Sequence, residues 1–304
     1  MKLVRFQSHG HQGWAVWHAA TTAWRGTTHN QPGYPGDVDD LIRQGRAALD
    51  AAALAMARQP VVDLDAVQFL APVAHPAKII CVGLNYRDHT AESGFVQPPY
   101  PTLFARFNSS VTAHNAPLLH TELSDTLDFE GELVVVIGTG GYRITRENAL
   151  SHVLGYSVFN DGSVREYQFK TPQWTMGKNF DGTGAFGPCM VTADELPPGA
   201  RGLLLETRLN GQTVQSANTS DMVFDVESLI VTISEAITLE AGDLIVAGTP
   251  AGIGHAREPR LYMKPGDICE VEIERIGLLR NRVQSAATAP QTPAPAQPLE
   301  ETTS

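Results

Sequence analysis

The chain has 304 residues, 42% hydrophobic and 18% charged, which is enough for a sizeable buried core and unlike a disordered or fibrous composition. Its 33 acidic against 22 basic residues leave a net charge of −11, which argues against nucleic acid or an anionic membrane as partner. Three cysteines without a Cys-x-x-Cys pair suggest neither a disulfide framework nor a zinc knuckle, so buried free thiols are expected.

In chain order, short strands are predicted at Lys2 to Gln7 and Gly13 to Trp17, then a Gly/Pro-rich loop at Gln31 to Gly36. A helix follows, marked by Leu41, Ile42, Ala48, Leu49, Ala52, Ala53 and Met56 at roughly helical spacing. These elements form a small N-terminal α/β subdomain, residues 1–72. From Lys78 strands dominate, with apolar runs at Ile79 to Val82, Leu133 to Ile137, Leu203 to Leu209 and Leu244 to Ala247. Helices are expected at Glu147 to Val153 and Val226 to Ile237. The main domain occupies residues 73–284. From Ser285 the sequence SAATAPQTPAPAQPLEETTS, with no aromatic or basic residue, cannot bury enough to offset its ordering entropy, and 285–304 reads as a disordered tail. The opening MKLVRFQSHGHQGW has no apolar h-region, and no later apolar run nears the about 20 residues of a membrane span, so a cytoplasmic location is expected.

Chemistry concentrates in three places. In Leu127-Asp128-Phe129-Glu130-Gly131-Glu132-Leu133 the alternation of a strand puts Glu130 and Glu132 on one face, about 7 Å apart along the backbone. They are either solvated acids on an open edge or a pair at the mouth of a buried strand, and the apolar run that follows favours the second. In Gly155 to Glu166 an apolar strand ends in Asn160-Asp161-Gly162, which is either a plain turn or a ligand presented at a strand end. Three carboxylates would select a hard ion, Mg²⁺ or Mn²⁺, rather than zinc. Upstream, His89 and Glu92 stand at i, i+3, where a carboxylate can orient an imidazole as a general base. Gly94 and Pro98-Pro99-Tyr100-Pro101 suggest a lid.

GLNYRDHTAE, LDFEGELVVVIG, GYSVFNDGSVRE, MGKNFDGTGAFGP and AGTPAGIG with KPGDICEVEIERIGLLRN, in this order between about Lys78 and Asn281, resemble the fumarylacetoacetate hydrolase family. The resemblance implies a β-rich α+β fold, the family's β-roll, with one divalent ion per subunit on Glu130, Glu132 and Asp161. It also implies a His89–Glu92 pair on the lid, Lys178 contacting a bound oxo acid, and a homodimer. Asn85, Arg165, Gly248 and Thr249 in these motifs, and Gln168 just after the third, are expected to contact substrate. Arg106, in Phe104-Ala105-Arg106-Phe107 where many members carry Phe-x-Lys-Pro, is either a carboxylate ligand or a structural ion pair. The expected reaction is hydrolysis of a carbon–carbon bond in a 2,4-dioxo acid. The alternatives at the same site are oxo-acid decarboxylation and a muconate-type isomerisation. His114 is a weaker candidate for the pocket, and the tryptophans, Trp174 included, read as packing residues.

Overall fold

The computed structural model describes residues 1–92, 94 and 96–288. The fold is sheet-rich with few helices, and its centre is the strand Gly131–Ile137, of which Leu133 to Ile137 are 0% exposed. Leu133, Val135 and Ile137 point into one core, shared with Leu205, Val271 and Leu279, and Val134 and Val136 point into another, shared with Leu41, Ile42, Leu49 and Met56. A strand buried on both faces reads as a continuous apolar run rather than an alternating one.

Around it runs an eleven-stranded sheet. Gly131–Ile137 pairs antiparallel with Val153–Asp161 and with Leu244–Val246, and Val153–Asp161 pairs with Gly184–Thr192. On the far side Leu244–Val246 pairs in parallel with Ile79–Gly83. One face of this sheet packs on a second, five-stranded sheet that includes Leu204–Leu209, Ile268–Ile273 and Gly277–Ser285. Gly131 permits the approach of the two sheets, since a Cβ there would lie 2.2 Å from Thr207 Oγ1.

The first 72 residues do not pack apart. Lys2–Ser8 pairs with Gly184–Thr192 (Lys2 opposite Val191, Leu3 opposite Met190), so the N-terminal strands extend the main sheet. The helix expected over 41–56 is two, Val38–Gln44 and Arg46–Met56, broken at Gly45, whose φ of +100° belongs to the region glycine tolerates. No α-helix forms at 147–153. The chain makes a single 3₁₀ turn, Ala149–His152, because Val153 already pairs with Ile137. The later helix ends at Ser234.

Ser285 closes the strand Gly277–Ser285 and pairs with His120, so the tail begins after it, and residues 289–304 lie outside the described residues. Deleting 289–304 is expected to leave the melting temperature and turnover nearly unchanged, because Leu299 is the one bulky apolar side chain removed. A fall of more than a few degrees in a thermal scan would contradict this. Cys81, Cys189 and Cys269 are buried free thiols, as expected. Among the described residues no helix is long and apolar enough to cross a membrane.

Candidate active site

Glu130, Glu132 and Asp161 converge at the end of the central strand pair, with carboxylate oxygens within 4.8 Å of one another and all three residues buried. The ladder sets this spacing. Asp161 N donates to Glu130 O at 2.8 Å, and Glu130 N donates to the Asn160 side chain at 2.9 Å. Lys178 Nζ lies across the cluster, 2.7 Å from Glu130 Oε2 and 2.6 Å from Asp161 Oδ2. Arg165 Nη2 reaches Glu130 Oε1 at 2.6 Å, and Glu132 Oε2 accepts from Gly248 N at 2.6 Å.

Burial on its own would raise the Glu130 carboxyl, but Arg165 and Lys178 outweigh it and hold the group at about 2. Glu132 has no such cation of its own. Burial, reinforced by Asp161 and Glu130, pushes its carboxyl well above the usual carboxylate range. Three crowded, oxygen-only donors with one carboxylate lacking a counter-charge fit a hard divalent ion, whose charge would relieve that repulsion.

A cavity of about 490 Å³ opens on this cluster. Of the residues singled out in the sequence, His89, Glu92, Glu130, Glu132, Arg165, Gln168, Lys178 and Thr249 line it. His89 and Glu92 sit on the short helix Arg87–Glu92, with His89 Nδ1 3.0 Å from Glu92 Oε1. The Glu92 oxygens also accept from Gly252 N at 3.0 and 2.9 Å, tying the helix to the glycine-rich loop at 248–254. Part of the expected lid, Ser93 and Phe95, lies outside the described residues.

Two expected substrate contacts are placed otherwise. Arg106 is 3% exposed and outside the cavity wall. It donates to Ser110 Oγ (3.1 Å), Asp161, Gly162 O (3.1 Å) and Thr183 Oγ1 (2.8 Å), and is the structural ion pair. Asn85 is 0% exposed, and its side chain bridges Phe224 N, Phe224 O and Ala247 O, which leaves it no hand for a ligand. Gly248 acts through its N–H on Glu132. His114 packs edge-on against Phe69 and accepts from Arg280 N, away from the cavity. Trp174 is more than packing: it stands against Phe104 in the cavity wall, and a Cβ on Gly83 would lie 2.5 Å from its ring.

Arg106→Met is therefore expected to lower stability by about 3–5 kcal/mol, because Asp161 loses one of its two buried counter-charges. Urea unfolding checks this, and a raised KM with an unchanged unfolding midpoint would restore the substrate-binding role.

Sequence reading missed three positions. Asp128, 0% exposed, accepts from Gly254 N (2.8 Å) and His255 N (2.9 Å) and pairs with Arg165 Nε at 2.9 Å, so it mounts the loop and the guanidinium on one anchor. Gln215 accepts from Gly131 N and donates to Thr249 Oγ1 and Pro250 O. His255 lines the cavity. Asp128 stood inside the quoted LDFEGE motif, but Gly254 and His255 are more than a hundred residues away and Arg165 is 37 away, so they leave no local signal.

The description "Fumarylacetoacetate (FAA) hydrolase C-terminal" belongs to the family profile that matches residues 78–284, more than half of the chain. The chain belongs to the fumarylacetoacetate hydrolase family. It is 40% identical over 255 residues, 83% of this chain and 81% of its relative, to the human oxaloacetate tautomerase FAHD2A, mitochondrial. Among solved structures of the family's members, a fumarylacetoacetate hydrolase from psychrophilic Exiguobacterium antarcticum matches with a TM-score of 0.81 at 38% identity. That match covers 94% of this chain and 99% of the other. A 5-carboxymethyl-2-hydroxymuconate delta-isomerase from Mycobacterium smegmatis matches with a TM-score of 0.73 at 28% identity, covering 94% and 100%. The chain is thus an enzyme of this superfamily, with a buried acidic triad able to bind a metal.

Proposed function

We propose that the chain interconverts the keto and enol forms of a small 2-oxo diacid of the oxaloacetate type, as a cytoplasmic homodimer using Mg²⁺ or Mn²⁺. One observation carries this reading: a single imidazole–carboxylate pair shares one cavity with Lys178 and the acidic triad. The 38–40% identity to several oxaloacetate tautomerases supports it, and the net charge of −11 supports leaving nucleic acid out.

His89 Nδ1 is engaged by Glu92, and Nε2 is the nitrogen left to meet substrate. With Nδ1–H on the carboxylate, the Nε2 lone pair takes a proton from the carbon beside the carbonyl, and the C–H electron pair moves into the new C=C as charge builds on the oxygen. A divalent ion on Glu130, Glu132 and Asp161 would supply Lewis-acid polarisation of the 2-oxo group. Lys178 brings an ammonium to the same region. Burial pulls its pKa down, but Asp161 and Glu130 outweigh that and raise it, so the group stays charged. Gln168 accepts from Arg165 Nη1 through its oxygen, leaving its NH₂ to donate to a substrate carboxylate. Return of the proton to the oxygen completes the enol.

A second reading is hydrolysis of a 2,4-dioxo acid, in which His89 takes its proton from water. The match to the Exiguobacterium hydrolase supports it. Following the enol absorbance of oxaloacetate beside the chromophore of an acylpyruvate separates the two. Faster enol decay without cleavage supports the tautomerase. Cleavage with solvent ¹⁸O in the released carboxylate, and no effect on enol decay, overturns it in favour of the hydrolase.

A further inference from the structure

The cavity holds a second imidazole to which the chemistry above gives no task. His255 lies on the 3₁₀ turn Gly254–Ala256 and lines the wall. It is held on three sides. Its N–H bonds Asp128, its Nδ1 lies 2.7 Å from the Tyr262 hydroxyl, and the Phe169 ring lies against its face with centroids 5.2 Å apart. Nε2 is the polar atom these contacts leave over.

The rest of the cavity narrows what Nε2 can meet. The triad and Lys178 gather at one region and suit the 2-oxo acid end of a substrate, and Arg165 spans from Glu130 there to Asp128, which also holds His255 N. Phe104, under Lys178, and Trp174 beside it are apolar parts of the wall, as are Leu84 and Ile253. Thr249, another polar group of the wall, donates its hydroxyl to Gly131 O and accepts from Gln215. A second carboxylate bound in this cavity would have His255 as its uncommitted donor.

We infer that His255, oriented by Tyr262, receives the distal carboxylate of a diacid substrate and sets the preference for diacids over shorter 2-oxo acids. This rests on the function proposed above. The Tyr262 hydroxyl lies 2.7 Å from Nδ1 and in this role donates to it, the tautomer that carries the ring proton on Nε2 toward the ligand. Burial, then Arg165 and Arg260, outweigh Asp128 and hold the imidazole below its usual pKa, so it acts as a neutral donor.

The test reads binding without turnover. Calorimetry on the Mg²⁺-loaded chain compares oxalate, which fills only the 2-oxo acid end, with L-malate, which adds a distal carboxylate. His255→Leu is expected to weaken malate binding about tenfold or more while oxalate binding stays within about twofold, the effect of one hydrogen bond to a charged group. His255→Gln, which keeps an N–H donor, should recover part of the loss, and Tyr262→Phe should weaken malate binding by a smaller factor. Equal loss for both ligands, no loss for either, or a wild-type chain that does not bind malate would overturn the assignment. If enol decay is not accelerated but the malate-to-oxalate ratio shifts as stated, the tautomerase reading fails and the role of His255 stands. The reverse pattern retires His255 alone.

Discussion

Replacing His89 with alanine is expected to lower kcat/KM about 10²- to 10⁴-fold on the enzyme's oxo acid, the usual loss for a general base. The affinity for Mg²⁺ or Mn²⁺ should stay near wild type, because His89 lies on the helix Arg87–Glu92, whereas Glu132 and Asp161 lie on strands and Glu130 just before one. Glu92→Gln should act in the same direction but less severely. The amide can still accept from Gly252 N, and what is lost is the charge that orients the ring and stabilises the imidazolium. Steady-state kinetics beside a metal titration checks both. A His89→Ala enzyme with near-wild-type rates on oxaloacetate and on every dioxo acid tested would remove His89 from the chemistry.

The second large effect concerns the acidic triad. Exhaustive chelation is expected to abolish turnover and Mg²⁺ or Mn²⁺ to restore it, and loss of any one carboxylate should cost at least about 10²-fold in metal affinity, more than typical outer-shell changes. The three positions should differ in what else they lose. Asp161→Ala leaves Arg106 short of its buried partner and Lys178 with one fewer, and Glu130→Ala takes one of two carboxylate partners from each of Arg165 and Lys178, so both should also lower the melting temperature. Glu132 bonds only Gly248 N, so Glu132→Gln tests the metal with the least disturbance to the fold. Full activity after chelation, or unaltered metal affinity of Glu132→Gln by calorimetry, would refute the assignment.

These positions were legible in the sequence for a physical reason. A strand that emerges from a doubly buried centre shows as an apolar run, and acids placed just before that run are displayed at its mouth. The helical i, i+3 step of His89 and Glu92 is likewise local. What was hidden depends on distant backbone. Asp128 reads as one more acid until the loop at 254–255 is laid across it, and Arg106 reads as a free guanidinium until Asp161 and Thr183 close around it. The helix at 147–153 failed for the same reason, because the pairing of Val153 with Ile137 overrides local propensity. The division at residue 72 followed a change of composition, which does not reveal that Lys2 finds its partner at Val191.

That pairing has a consequence during synthesis. Lys2–Ser8 and Gly184–Thr192 are neighbours in the finished sheet but leave the ribosome about 180 residues apart, a delay of roughly 10–40 s at ordinary elongation rates. Hairpin partners such as His11–His18 are at hand at once, so one side of Lys2–Ser8 is covered early. On the other side Gln68–Leu70 pairs with Arg5 to Gln7 once about 65 more residues are made, and what waits for Gly184–Thr192 is the short stretch of Lys2 and Leu3. The growing chain therefore pairs most of its N-terminal strands early and keeps one short open edge at Lys2 and Leu3, which is where a chaperone or a stray strand could bind in that interval.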